Sequence, residues 1–302
     1  MKKHVIFLVP IIILILIPFS VFITKKINKR SFLKEETIKT EIKEPIKVLK
    51  PEVITLDKFD SLSPEEKGLA IFREEEEVNI GFEDFTAAMQ MILINKSGQK
   101  SIREIRFKIL EIIGDEEKTL FIFDNPKDIK GTAFLIFAHK FENDDQWLYL
   151  PATKRVKRIS STNKSGSFVG SEFSYEDISA LVVEKYTYKW IHDEIYENID
   201  CYVVEKYPID KKYSGYTKQV VWIDKKEFRE WKIDYYDRKN FLLKTLIITG
   251  YKLYLDKFWK ADEFFMKNHQ TEKITKLIWS DYQFKNGLTD KDFNKNSLKR
   301  IK

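Results

Sequence analysis

The chain has 302 residues, 53 basic and 47 acidic, with a formal net charge of +6. Both signs are interspersed and no nucleic-acid-binding module is recognisable, so the small excess reads as a solvated surface and nucleic acid is excluded as a partner. A single cysteine, Cys201, excludes an internal disulfide.

Residues 1–30 read as a signal or membrane-anchor segment. A short basic head precedes residues 5–24, which are almost wholly apolar. About 20 apolar residues suffice to span a bilayer. No good small-residue cleavage site follows, because Phe22 spoils Ser20-Val21-Phe22. An uncleaved anchor is therefore preferred over a cleaved signal. Lys25, Lys26, Lys29, Arg30 and Lys34 follow the apolar run. By the positive-inside rule alone, they favour a cytoplasmic C-terminal part. Residues 31–63, rich in Lys and Glu, read as a charged linker. Residues 64–302 remain for one large β domain.

The spacing predicts a helix over 64–78. Ser63 suits the N-cap, Pro64 the first helical position, and Glu65 and Glu66 the positive end of the dipole. Its apolar stripe is thin: Leu69, Phe72 and Val78. Alternating apolar patterns then predict strands over 85–95, 102–112, 118–124, 132–139, 146–150, 183–190, 201–207, 216–224, 230–237, 243–255, 258–268 and 274–284. Short turn-forming pieces such as NKSGQ, FENDD and DRKN separate them. Many strands at short spacing argue an antiparallel sheet or barrel rather than a βαβ array.

No residue set carries catalytic chemistry. His4, His139, His192 and His269 form no pair with metal-ligand spacing. His192-Asp193-Glu194 reads as the turn between two strands. Ser171, in VGSEF, is not a nucleophile elbow. Gly166 and Gly170 make no phosphate loop. Asp144 and Asp145 read as a hairpin tip. No enzyme, metal or cofactor is expected. What remains is a strongly aromatic β surface with 23 Phe, 14 Tyr and 6 Trp.

The stretch DDQWLYLPATKRVKRISSTNKSGSFVGSEFSYEDI resembles the LolA-like outer-membrane lipoprotein-sorting proteins. The similarity continues through CYVVEKYP, YTKQVVWIDKKEFREWKIDYYDRK and WSDYQFKNGLTDKDFNKNSLKR, and covers roughly residues 63–302. The resemblance implies a mainly β (α+β) fold of LolA/LolB type. It is an incomplete antiparallel β-barrel of about 11 strands, wrapped around plugging helices. It also implies a periplasm-facing, non-catalytic carrier that binds lipid, or the acyl chains of lipoproteins, in an apolar groove. The rival reading is a lipid-sensing or scaffolding module bound to an RND-type membrane transporter. Export then outweighs the charge bias after residue 24. The protein is either released into the periplasm or tethered to the inner membrane by residues 5–24.

The clearest alternations put Met89, Met91, Phe107, Ile109, Ile233 and Tyr235 on the groove face, where methionine adapts to flexible chains. Phe121, Trp147, Tyr149 and Trp222 are assigned there too, although a one-residue slip of register would reverse the face. Arg155, Lys157 and Arg158 would continue along the rim and meet a membrane surface or an acidic partner. Residues 163–171 would form a mobile loop at the mouth, with Phe168 as its apolar contact. Residues 174–181 would make a short helical return capped by Ser174.

Overall fold

The computed structural model describes residues 56–300. The expectations for residues 5–24 and for most of the linker lie outside them. Among the described residues, no helix is long and apolar enough to cross a membrane.

A 3-10 turn (Leu56–Ser61) leads into α1 (Pro64–Asn79). The start of α1 is dictated locally. The Glu66 backbone N–H donates to Ser63 Oγ at 3.3 Å, and the Ser63 N–H donates to Glu66 Oε2 at 2.8 Å. This reciprocal capping box satisfies two donors that the first turn would otherwise leave free.

Every other long element is a strand: β1 (Asp84–Ile94), β2 (Lys100–Glu111), β3 (Glu117–Asn125), β4 (Ala133–Phe137), β5 (Asp145–Leu150), β6 (Arg155–Ile159) and β7 (Tyr186–Tyr196). Then follow β8 (Ile199–Pro208), β9 (Tyr216–Asp224), β10 (Glu230–Asp237), β11 (Leu242–Tyr254), β12 (Phe258–Asn268) and β13 (Ile274–Phe284). All thirteen join one antiparallel sheet, two more than the expected eleven. The order is β6-β5-β4-β3-β2-β1-β13-β12-β11-β10-β9-β8-β7. Nearly every neighbour is a sequential hairpin, and one long-range pairing of β1 with β13 joins the two meanders. The hairpin tip between β7 and β8 is Glu197-Asn198, both at positive φ. That is the two-residue turn whose twist suits a β-hairpin. His192 to Glu194 therefore lie within β7, not in the expected turn.

Directly paired residues share a face, so the register identifies the core. Phe85↔Ile109, Phe107↔Phe121, Phe121↔Phe134 and Phe134↔Leu148 run along one half of the sheet. Ile233↔Val221 and Leu246↔Met266 do so along the other. All of these belong to one main core on the inner face. The sheet curls, because residues of β2 and β3 border the same cavity as residues of β7 to β11. Its two edge strands, β6 and β7, do not pair with each other. It is an incomplete barrel.

Two pieces cover the hollow. Helix α1 packs chiefly on β7 through buried Gly68, Ile71 and Phe72. The helix lies so close that a Cβ on Gly68 would stand 2.8 Å from the Lys189 backbone nitrogen. The second cover is the β6–β7 connection, residues 160–185. Phe168, Phe173 and Val183 from it are buried in the main core. Phe168 is fully buried, with its ring 5.1 Å from that of Phe134 and 5.6 Å from that of Phe121. It is a core residue rather than a contact on a mobile mouth loop. The expected helical return is a single turn: the Asp177 N–H donates to Ser174 Oγ at 3.2 Å, and the Ser174 N–H to Asp177 Oδ2 at 2.6 Å.

The outer face carries two smaller cores. One is Leu120, Ile122, Leu135 and Tyr149, covered by Phe293 and Leu298 of the C-terminal segment. The other is Cys201, Val203 and Trp222.

Candidate functional site

Between the inner face and its two covers lie three neighbouring cavities, of about 270, 270 and 520 Å³. Glu75, in the second half of α1, borders all three. The two smaller cavities also share Phe107, Ile248, Phe264 and Trp279, an aromatic and aliphatic wall supplied by β2, β11, β12 and β13. Aromatic walls around a few polar groups are the usual make-up of a small-molecule site.

The polar groups define this cleft. Residues 68, 71, 72 and 75 follow the 3.6-residue period, so Glu75 completes the buried stripe of α1 and is only 8 % exposed. Glu230 reaches the cleft from β10, Glu117 from β3, Lys206 from β8 and Lys260 from β12. Among the described residues, neither ammonium makes an ion pair with these carboxylates. Lys206 Nζ instead lies 4.9 Å from the ring centre of Tyr186 and 5.5 Å from that of Phe72. Lys260 Nζ lies 5.3 Å from the ring centre of Phe82 and 5.5 Å from that of Phe85. Among the described residues, three buried atoms at this cleft have no hydrogen-bond partner: Glu75 Oε2, Glu230 Oε1 and Trp279 Nε1. Each such orphan costs about 1–3 kcal/mol.

Burial sets the acid–base state. It holds the Glu75 carboxyl well above the usual carboxylate range; the nearby Glu230 charge raises it further, and Lys206 partly offsets both. Glu230 is also raised by burial, against Lys206. Glu117 is pushed up to about 7 by burial, despite a hydrogen bond from the Thr119 hydroxyl at 3.1 Å. Burial draws the Lys260 ammonium down, opposed by Glu117.

The structure places Met89, Met91, Phe107, Ile109, Phe121, Ile233 and Tyr235 in the main inner core. Phe107 borders both smaller cavities. Phe121, Ile233 and Tyr235 border one of them, and Ile109 borders the largest. Met89 and Met91, at 2 % and 0 % exposure, are packed away from all three. Trp147, Tyr149 and Trp222 point the other way. Tyr149 packs under the C-terminal segment, Trp147 lies beside it against Phe137, and Trp222 holds the Lys232 ammonium over its ring at 3.9 Å. Both faces of these strands are apolar, so the pattern left the choice of face open, and pairing decides it. The rim cations divide as well. Arg155 and Lys157 pair with Leu150 and Leu148 of the inner face. Arg158 pairs with Trp147 of the outer face and donates to Asp145. They are exposed on edge strand β6 but do not make one basic stripe.

The carboxylates were missed for identifiable reasons. Glu75 sits in the run EEEE, which reads as a solvated face, although its i+7 spacing from Gly68 was a usable signal. Glu230 is turned inward by a bulge: it pairs with Ile223, while Lys232 pairs with Trp222, and the slip at Trp231 inverts the alternation. A second acidic group, Glu76, Glu116 and Glu184, lies near the end of α1. It is already met by cations: Arg73 reaches Glu76 at 2.7 Å and Glu184 at 2.9 Å, and Lys140 reaches Glu184 at 3.2 Å.

An antiparallel sheet curled into an unclosed barrel, stoppered by one helix and an inserted loop, is the architecture of the LolA-type proteins. Comparisons with known proteins agree. A domain from Vibrio parahaemolyticus classed as an outer membrane lipoprotein-sorting protein is 54% identical, with a TM-score of 0.77, covering 78% of this chain and all of that one. A DUF1329 family protein from Desulfovibrio piger is 29% identical, with a TM-score of 0.74 and the same coverage. A LolA superfamily protein from Nitrosomonas europaea shares the fold at 21% identity and a TM-score of 0.61, over 76% of this chain and 98% of that one. A family model described as "Uncharacterized protein" matches residues 115–300. A search of curated proteins returns no match. The chain belongs to the LolA-like outer-membrane lipoprotein-sorting family.

Proposed function

We propose that this protein is a non-catalytic, periplasm-facing carrier that holds lipid, or the acyl chains of lipoproteins, in the cleft beneath α1. Residues 5–24 deliver it there as a cleaved signal or keep it on the inner membrane. The observation that carries this reading is an aromatic hollow closed by a helix rather than by the sheet. Such a hollow can be opened without breaking a strand ladder.

Energetics supports a carrier over a permanent receptacle. Burying an alkyl chain is worth about 0.8 kcal/mol per methylene. Sixteen fully buried carbons would be worth on the order of 10 kcal/mol, too much for ready release. Displacing α1, and admitting the polar groups of the cleft beside the chain, both subtract from that gain. An RND-type transporter is the partner proposed to drive loading.

Mass spectrometry of natively purified protein tests the mature N-terminus and any bound lipid together. A vesicle assay then separates the readings. A carrier moves labelled lipid from donor to acceptor vesicles, whereas a sensing or scaffolding module retains it. Failure to bind any lipid or acylated peptide would remove both.

A further inference from the structure

The cleft is not a plain grease pocket. Glu75 is nine-tenths buried, borders all three cavities, and has one carboxylate oxygen without a partner. Glu230 reaches the two smaller cavities from β10 and carries a second such oxygen. The neighbouring lysines do not complete them, because Lys206 and Lys260 are held over aromatic rings. Two acidic side chains share a hollow whose common wall also includes Phe107, Ile248, Phe264 and Trp279. Native proteins rarely leave buried polar atoms unmatched, and a cluster of them in a cavity marks a place where a ligand completes the set.

We infer that the cleft takes an amphiphile whose polar end is a primary ammonium, seated at Glu75 and Glu230, with its alkyl part along the aromatic wall. The inference rests on the ligand-binding reading proposed above. A primary ammonium presents three donors and no acceptor, which matches two orphan acceptor oxygens. Its charge favours the ionised form of both carboxyl groups, which burial alone disfavours. A quaternary ammonium carries the charge without a donor, and an anionic head adds a like charge. Trp279 Nε1 is the one orphan donor at the site. It would meet an ester or phosphate oxygen near the amine. Two sources share this chemistry, an aminophospholipid and a simple alkylamine.

The test uses the full-length chain in a non-ionic detergent, followed by tryptophan emission. It is titrated with dihexanoyl phosphatidylethanolamine, phosphatidylcholine and phosphatidylglycerol, and with octylammonium. At least one primary amine should bind roughly tenfold or more tightly than phosphatidylcholine and phosphatidylglycerol, the order expected for charge-assisted hydrogen bonds in a desolvated site. Glu75→Gln and Glu230→Gln should each collapse that ratio by weakening amine binding, and Glu75→Asp should keep part of it. Near-ultraviolet circular dichroism checks that each variant is folded. Preference for the phospholipid assigns the ligand to aminophospholipids, and preference for octylammonium assigns it to simple amines. Equal binding of all four ligands would overturn the ammonium site and leave the carrier reading standing. No binding of any would overturn both.

Discussion

The 160–185 cover is fastened to the sheet by one buried ion pair, and breaking that pair should be costly. Lys244 Nζ, on β11, lies 2.5 Å from Asp177 Oδ2, with side-chain exposures of 4% and 2%. The ammonium also donates to the Glu172 carbonyl at 2.8 Å, and Asp177 Oδ1 accepts from the Tyr216 hydroxyl at 2.8 Å. Lys244→Met keeps the volume and the stem but leaves the Asp177 carboxylate buried without its counter-charge. Removing one partner of a buried pair costs about 3–5 kcal/mol. For a domain of this size, that corresponds to a fall in Tm of about 6–20 °C. Thermal denaturation followed by circular dichroism measures it. The double variant Lys244→Met, Asp177→Asn removes the stranded charge and should be more stable than Lys244→Met alone. Asparagine still offers one acceptor oxygen, to the Tyr216 hydroxyl or to the Ser174 N–H. A Tm within about 2 °C of wild type for Lys244→Met, a change of about 0.5–1 kcal/mol at most in the usual scaling, would refute the claim that this pair fastens the cover.

Two further predictions concern the other cover and the cleft acids. Gly68→Ala adds a better helix former by about 1 kcal/mol, but places a Cβ 2.8 Å from one backbone nitrogen and 2.9 Å from the next. The clash should win, with a net loss of about 1–3 kcal/mol by denaturant titration; a stabilised variant would show that α1 does not rest on β7 through this glycine. Glu117 has its folded-state pKa raised to about 7 by burial, so the folded state binds that proton more tightly than the unfolded state does. Its contribution is fully present below the unfolded value near 4.3 and is lost as pH rises to about 7. Glu117→Gln mimics the protonated form, so its Tm should gain on wild type between pH 5 and pH 8. A constant difference across that range would contradict the assignment.

How much of this was legible depends on the kind of signal. Strand positions were readable because alternation and turn chemistry agree along β1, β2, β12 and β13. The helix start was readable because Ser63, Pro64 and Glu66 act within one turn. Face was readable only where one side of a strand is polar, as for Phe107 and Ile109, which alternate with Arg106 and Lys108. On β5 and β9 both sides are apolar, and the outer cores that claim Trp147, Tyr149 and Trp222 come from other elements: the C-terminal segment in one case and the adjacent strand β8 in the other. The cleft carboxylates were missed for a different reason. Composition treats Glu as surface, while Glu75 is set by helix phase and Glu230 by a bulge. The basic stretch 154–158 and the glycine-serine run after it looked like a functional rim. The second of these is mostly a structural cover, because Phe168 needs a flexible chain on either side to reach the core.

The two covers are not equally attached, and the difference says which one opens. The 160–185 segment is held by Lys244–Asp177, by Arg103 donating to the Val169 carbonyl, and by Phe168 in the core. Helix α1 is held mainly by Ile71 and Phe72, together with partly exposed ion pairs of Arg73 with Glu184, Lys140 with Glu76 and Lys189 with Glu65. Burying two such side chains is worth about 3–6 kcal/mol in all. Such partly exposed ion pairs add little, about 0–1 kcal/mol each. An incoming alkyl chain recovers about 0.8 kcal/mol per methylene, so roughly four to eight buried methylenes would offset lifting the helix. They would not offset both that and the stranded charge left by pulling out the loop. On the proposed reading, access to Glu75 would therefore run past α1, and the residue assigned to the ligand's polar end would be carried by the element that moves.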